Sequence, residues 1–135
     1  MKFPWRSDRG LVGPGYRSEA VVESKIVPGV KFTIAKMSFG RRMELMRRVR
    51  ELAGRYEFLA ASENAAEKMD AALLQSEIQR TYVLWGVKAI SGLTVNGRSA
   101  DVELMAAEGP EALFLEALAA VRREAGLTEE ERKNS

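Results

Sequence analysis

Cysteine and histidine are both missing from this chain of 135 residues. Without cysteine there are no disulfides, no thiolate metal sites and no cysteine nucleophile. Without histidine the chain loses the Ser-His-Asp constellation, imidazole acid–base work and nearly all zinc and non-haem iron sites. Long apolar runs are also missing; none approaches the ~20 residues that a membrane helix needs. The opening Met1-Lys2-Phe3-Pro4-Trp5-Arg6 has an early positive charge but no apolar stretch behind it, so it does not read as a signal peptide. A cytoplasmic protein without a membrane partner is the expectation. Carboxylates, Lys, Tyr and Ser/Thr are all that remain for catalysis. Composition therefore favours a binding or assembly protein over an enzyme, and no cofactor is expected.

What is present suits one globular domain. Apolar residues make up 46% and charged residues 30%, ordinary proportions for a domain that buries roughly two-thirds of its unfolded surface. The net charge of +2 hides a gradient. Residues 1–36 carry seven basic and three acidic groups, and residues 37–55 six and two. Residues 56–100 carry four and five, and residues 101–135 four and nine. Such asymmetry marks a nucleic-acid face, a set of solvated faces, or a basic half that meets the acidic half within one copy or across a homo-oligomer.

Breakers crowd the start: Pro4, Gly10, Gly13, Pro14 and Gly15 lie within residues 1–18, which read as a flexible arm. The glycine-rich run at 10–15 is a poor phosphate loop, because no helix follows and Pro14 removes an amide donor. Residues 19–27 and 30–36 are rich in β-formers around Pro28-Gly29, which predicts a β-hairpin with a tight turn there. Val30, Phe32 and Ile34 are its expected buried side.

Ser38 is a natural N-cap. Beyond it Leu45, Met46, Val49, Leu52, Ala53, Tyr56, Leu59 and Ala60 recur at spacings of three and four, which predicts an amphipathic helix to about residue 61. Arg41, Arg47, Arg48 and Arg55 fall on its opposite side. A second helix is expected over 65–91, with Gly92 as its C-cap. Two adjacent apolar lines run along it: Met69, Leu73, Ser76, Arg80, Val83, Val87 and Ile90, and beside them Leu74, Ile78, Tyr82 and Trp85. Asn96-Gly97 signals a tight hairpin turn in a small element at 93–98. Asp101 is placed to cap a short helix over 102–108. Pro110 opens a last helix over 110–125, with Leu113, Phe114, Ala117, Leu118 and Val121 as its buried stripe. Thr128-Glu129-Glu130-Glu131 has the form of a capping box, but a single turn without apolar continuation is unstable. Residues 127–135 are therefore expected to be a flexible tail. The expected fold is α+β and mainly α: an N-terminal hairpin, two long antiparallel helices, a short turn element and a C-terminal helix. The domain spans 19–126.

Few constellations carry chemistry. The guanidinium groups of Arg41, Arg42, Arg47, Arg48, Arg50 and Arg55 are able to grip phosphates. However, no aromatics lie among those of 41–50 and no nucleic-acid motif surrounds them, so a solvated face or an acidic protein partner is the plainer reading. Glu67, Asp70 and Glu77 are spaced like any polar helix face, and Glu129–Glu131 form an exposed run, not a buried pair. No catalytic or metal-binding residue is assigned. Tyr82 and Trp85 read as core, with Phe114 facing them, or as anchors for a partner if exposed. Met43 and Met46 fill core gaps or offer a permissive surface to a partner.

Five segments, in order, carry a resemblance: Met37-Ser38-Phe39-Gly40-Arg41-Arg42; Arg47-Arg48-Val49-Arg50-Glu51-Leu52; Leu84-Trp85-Gly86-Val87 with Ile90-Ser91-Gly92-Leu93; Glu108-Gly109-Pro110-Glu111; and Gly126-Leu127-Thr128-Glu129-Glu130-Glu131-Arg132-Lys133-Asn134. Together they resemble tail assembly chaperones of long-tailed bacteriophages and prophages. The resemblance covers most of the chain after about residue 25. It implies a non-enzymatic protein that coats the helical tape measure protein, keeps it soluble and helps bring tail tube subunits to it. It also implies residence in the host cytoplasm and absence from the finished virion. Many such chaperones are made in two lengths by a programmed frameshift. The weak helical start at 128–131 fits the short form, and Lys133-Asn134 is compatible with an adenine-rich slippery heptamer. In this reading Arg41, Arg42, Met43, Met46, Arg47, Arg48, Arg50, Tyr82 and Trp85 are the candidates for contact with a partner. The rivals are a structural virion protein, such as a head–tail connector or tail component, and a nucleic-acid-binding phage protein using the Arg-rich helix.

Overall fold

In the computed structural model, residues 15–124 are described. The expectations for most of the N-terminal arm and for the tail at 127–135 fall outside them. Residues 15–18 lead without regular structure into β1 (Glu19–Glu23). It pairs antiparallel with β2 (Lys31–Ala35), Val21 opposite Thr33 and Val22 opposite Phe32. Two long helices follow, α1 (Phe39–Ala60) and α2 (Ala65–Gly86), then β3 (Val87–Ser91). A two-stranded ribbon of β4 (Thr94–Val95) and β5 (Arg98–Ser99) leads to α3 (Val102–Glu108) and α4 (Glu111–Glu124). The mainly helical α+β class is as expected.

The hairpin at the start differs from its expected form. Pro28 and Gly29 do make a tight turn: Val30 N–H donates to Val27 C=O at 3.2 Å, and Gly29 has φ +86°, as the third residue of a type II turn requires. That turn lies inside a longer connection and does not itself join the strands. The connection is held at Ser24, whose hydroxyl accepts from the N–H groups of Ile26 and Val27 and donates to Glu116 of α4 at 2.5 Å. Glu116 also accepts from Lys25 N–H at 2.7 Å.

The second helix is shorter than its periodicity predicts, and the residues assigned to its end form a strand. α2 ends at Gly86, where a Cβ would meet the Val121 side chain of α4 at 2.5 Å; the missing side chain lets Val121 pack directly on the helix end. Val87 then turns extended, with φ −91° and ψ 108°. Residues 87–91 take the free edge of β2, giving an antiparallel sheet of order β1-β2-β3. The register shifts between Thr33 and Ile34 and leaves Lys88 as an extra residue on β3. Gly92 is therefore not a helix cap. It turns the chain after β3 with φ +83°, where a Cβ would strike the Gly29 carbonyl.

The small elements follow their local signals. Asn96 and Gly97 have φ of +50° and +78°, the signature of a type I′ turn between β4 and β5. Asp101 caps α3 by accepting from Leu104 N–H at 2.8 Å. Asn64 caps α2 by accepting from Ala66 and Glu67 N–H, and Ser38 caps α1 by accepting from Arg41 N–H.

The core lies where one side of the sheet, the C-terminal half of α2, α3 and α4 meet. Phe32, Ile34, Ile78, Val83, Met105, Leu113, Ala117 and Val121 are fully or almost fully buried there. α1 sits outside this arrangement. Its extensive packing is on α2 alone, and Leu45 is its one buried residue. Val49, Leu52, Ala53 and Tyr56 are half-buried along the same seam. Met46, expected on the buried side, is 54% exposed.

Candidate protein-binding surface

The six arginines of α1 do not act as one face. Arg41 is drawn inward. Its guanidinium lies 4.5 Å from the centroid of the Trp85 ring, donates to the Trp85 carbonyl at 2.7 Å and pairs with Glu44 at 3.1 Å. A charged group over an indole, partly screened from water, is a favourable arrangement. Here it fastens the start of α1 to the end of α2. Arg48 shares Glu44, at 3.7 Å. Arg42 is half-buried. Arg47, Arg50 and Arg55 are exposed and make no ion pair among the described residues. Their spacing puts them near a different group of side chains.

Helical geometry explains that grouping. Phe39, Met43, Met46, Arg50, Ala53 and Glu57 follow one another at three or four residues, so they stack along one side of α1, roughly a quarter-turn from the seam with α2. Phe39, Met43 and Met46 are exposed by 81%, 39% and 54%. Met43, Met46, Val49 and Ala53 form the apolar floor of a shallow groove of about 590 Å³, edged by Arg47, Arg50 and Glu57. A neighbouring hollow, bounded by Arg47, Arg50, Glu51 and Arg55, adjoins it at Gly54. Gly54 has nothing within 4 Å of where a Cβ would stand, so the helix backbone is open to the outside there.

Tyr82 and Trp85 lie elsewhere. They are 5% and 3% exposed and belong to the core, so neither ring is open to a partner. The Arg122 guanidinium lies 5.9 Å from the Tyr82 ring centroid. Of the nine candidates, the structure thus brings Met43, Met46, Arg47 and Arg50 to one surface. It places Arg41, Tyr82 and Trp85 in packing roles, Arg48 in an ion pair and Arg42 half-buried. Phe114 does not join the aromatic pair's side of α2. It lines a second, smaller groove with Ser76, Gln79, Arg80 and Leu115. Met69 and Leu73, 71% and 64% exposed, continue the outer side of α2. Sequence reasoning missed Gly54 as part of the surface. Its position in the middle of a helix, where glycine costs stability, was the available signal.

Among the described residues no group of acidic side chains is placed to hold a metal ion. No helix of the described residues is long and apolar enough to cross a membrane. No protein-family model, curated protein or solved structure matches the chain.

Proposed function

We propose that this protein is a non-enzymatic tail assembly chaperone that binds a phage tape measure protein and keeps it soluble in the host cytoplasm. One observation carries the reading: α1 holds large apolar side chains, Phe39, Met43 and Met46, exposed along one side of a helix that no other described element covers. A monomer gains nothing from this, whereas a holder of a long amphipathic helix needs it. Methionine suits such a task because its flexible, polarisable side chain adapts to successive, non-identical client segments. The resemblance of the segments around Arg41, Arg47, Trp85 and Pro110 supports the same reading. Recruitment of tail tube protein belongs in this scheme to a longer, frameshifted form.

Fractionation together with co-expression is the test. The chain is expected to keep co-expressed tape measure protein in the soluble fraction, to co-purify with it, and to be missing from purified particles. Its presence in particles at a fixed copy number would instead make it a structural virion component. The short form is expected to retain tape measure protein but not tail tube protein.

A further inference from the structure

We infer that the outer side of α1 docks one amphipathic helix with acidic flanks, and that the notch at Gly54 takes its closest approach. The identity of that helix as a client segment rests on the chaperone reading; the site and its chemistry do not. Three features of α1 define the occupant. The floor of Met43, Met46, Val49 and Ala53 is apolar and continuous with exposed Phe39 one turn earlier, so the occupant presents an apolar stripe. From Phe39 to Glu57 this side runs about 27 Å, the length of a helix of roughly 18 residues.

Charge sets the flanks. α1 has six arginines against three glutamates, and one of those glutamates, Glu44, is already occupied by Arg41 and Arg48. Arg47, Arg50 and Arg55 remain at the rim against Glu51 and Glu57, so the rim keeps a net positive charge, and acidic residues beside the stripe gain attraction while basic ones meet net repulsion. A second copy binding through its own α1 would set these arginines against each other, which disfavours a symmetric dimer on this side. A nucleic acid would satisfy the rim but leave the methionine floor without a counterpart.

Gly54 supplies the fit. With no side chain and open space above it, it lies where both hollows meet, between Arg47 and Arg50. Small residues on a helix let another backbone come near, and here the gap faces outward, away from α2. No described residue fills it.

The experiment uses the full chain and two synthetic 18-residue peptides with the same Leu-rich stripe, one flanked by Glu and one by Lys. Binding is read by fluorescence anisotropy. The Glu peptide is expected to bind at least about tenfold more tightly than the Lys peptide, and the preference is expected to shrink as salt rises beyond about 0.15 M. Gly54→Leu fills the notch without meeting any neighbour; it is expected to weaken the Glu peptide about tenfold while leaving Tm at or above that of the parent. Arg47→Glu with Arg50→Glu is expected to reverse the peptide preference. Equal binding of both peptides, or no effect of Gly54→Leu, overturns the inference. So does tighter binding of a DNA duplex than of the Glu peptide, or self-association abolished by Gly54→Leu. A gain of about tenfold in peptide affinity on deleting 127–135 also overturns it, since the chain's own end would then be the occupant. Peptide binding as expected without retention of tape measure protein leaves the groove standing and removes the chaperone reading. Retention of tape measure protein by Gly54→Leu does the reverse.

Discussion

α1 and α2 are both 22 residues long and lie side by side, yet they are built for different purposes. α2 buries Ala71, Leu74, Ile78, Tyr82, Val83, Trp85 and Gly86, most of them in its second half, where α1, the sheet and α4 enclose it. α1 buries Leu45 and leaves Phe39, Met43, Met46 and Phe58 outside. The contrast separates two uses of apolar side chains. Those on α2 are spent on folding, since packing against several elements offsets the entropy of ordering them. Those on the outer side of α1 contribute little to stability and stay available to a partner.

The comparison is broken most directly at the packed end. Trp85→Ala removes an indole that is 3% exposed and the platform for Arg41, and is expected to cost about 3–5 kcal/mol, read from denaturant unfolding. An unchanged unfolding midpoint would mean that α2 is not the centre of the fold. On α1, Leu45→Ala is expected to cost about 2–5 kcal/mol, toward the lower end because a single neighbouring helix covers the site. Gly86→Val places methyl groups into Val121 and is expected to cost about 1–3 kcal/mol through overpacking, seen as a lowered Tm. A neutral result there would show that α2 and α4 do not press together.

How legible this was in the sequence varied with the range of the determining contact. Ser38, Asn96-Gly97 and Asp101 act within three or four residues, and their caps and turn are where local chemistry puts them. The alternation of Val30, Phe32 and Ile34 was equally readable. The end of α2 was not. Val83, Val87 and Ile90 continue a helical spacing, and only the free edge of β2 and the contact of Gly86 with Val121 convert residues 87–91 into a strand. The candidate surface divided in the same way. Helical spacing put Met46 beside Leu45 on the apolar side, opposite Arg41, Arg47, Arg48 and Arg55, and it cannot tell that Arg41 turns toward a tryptophan 44 residues away. Nor can it tell that Met46 stays outside while Leu45 is covered, because that depends on which side of α1 meets α2.

Smaller effects sharpen the comparison on the open side. Gly54→Ala is expected to raise stability by about 1 kcal/mol, because alanine favours a helix interior and no neighbour opposes the added methyl. The measurement is the unfolding midpoint in urea. A destabilised variant would mean that something already occupies the notch, and the outer side of α1 would then be part of the fold.

The smallest expected effect is at Met46. It follows Leu45 directly, but a rotation of about 100° per residue carries it from the seam to the groove, where it is 54% exposed. Met46→Gln keeps the length and the helix propensity of the side chain while making its end polar. Its cost in stability is expected to stay within about 0.5 kcal/mol, the usual range for surface changes. Affinity for the acidic amphipathic peptide is expected to fall, because a polar amide would then lie under the apolar stripe of the docked helix. The two readouts must separate for the comparison to hold. Loss of about 2 kcal/mol or more of stability would show that Met46 is covered by the protein itself, and α1 would then resemble α2 in burying apolar side chains for folding alone.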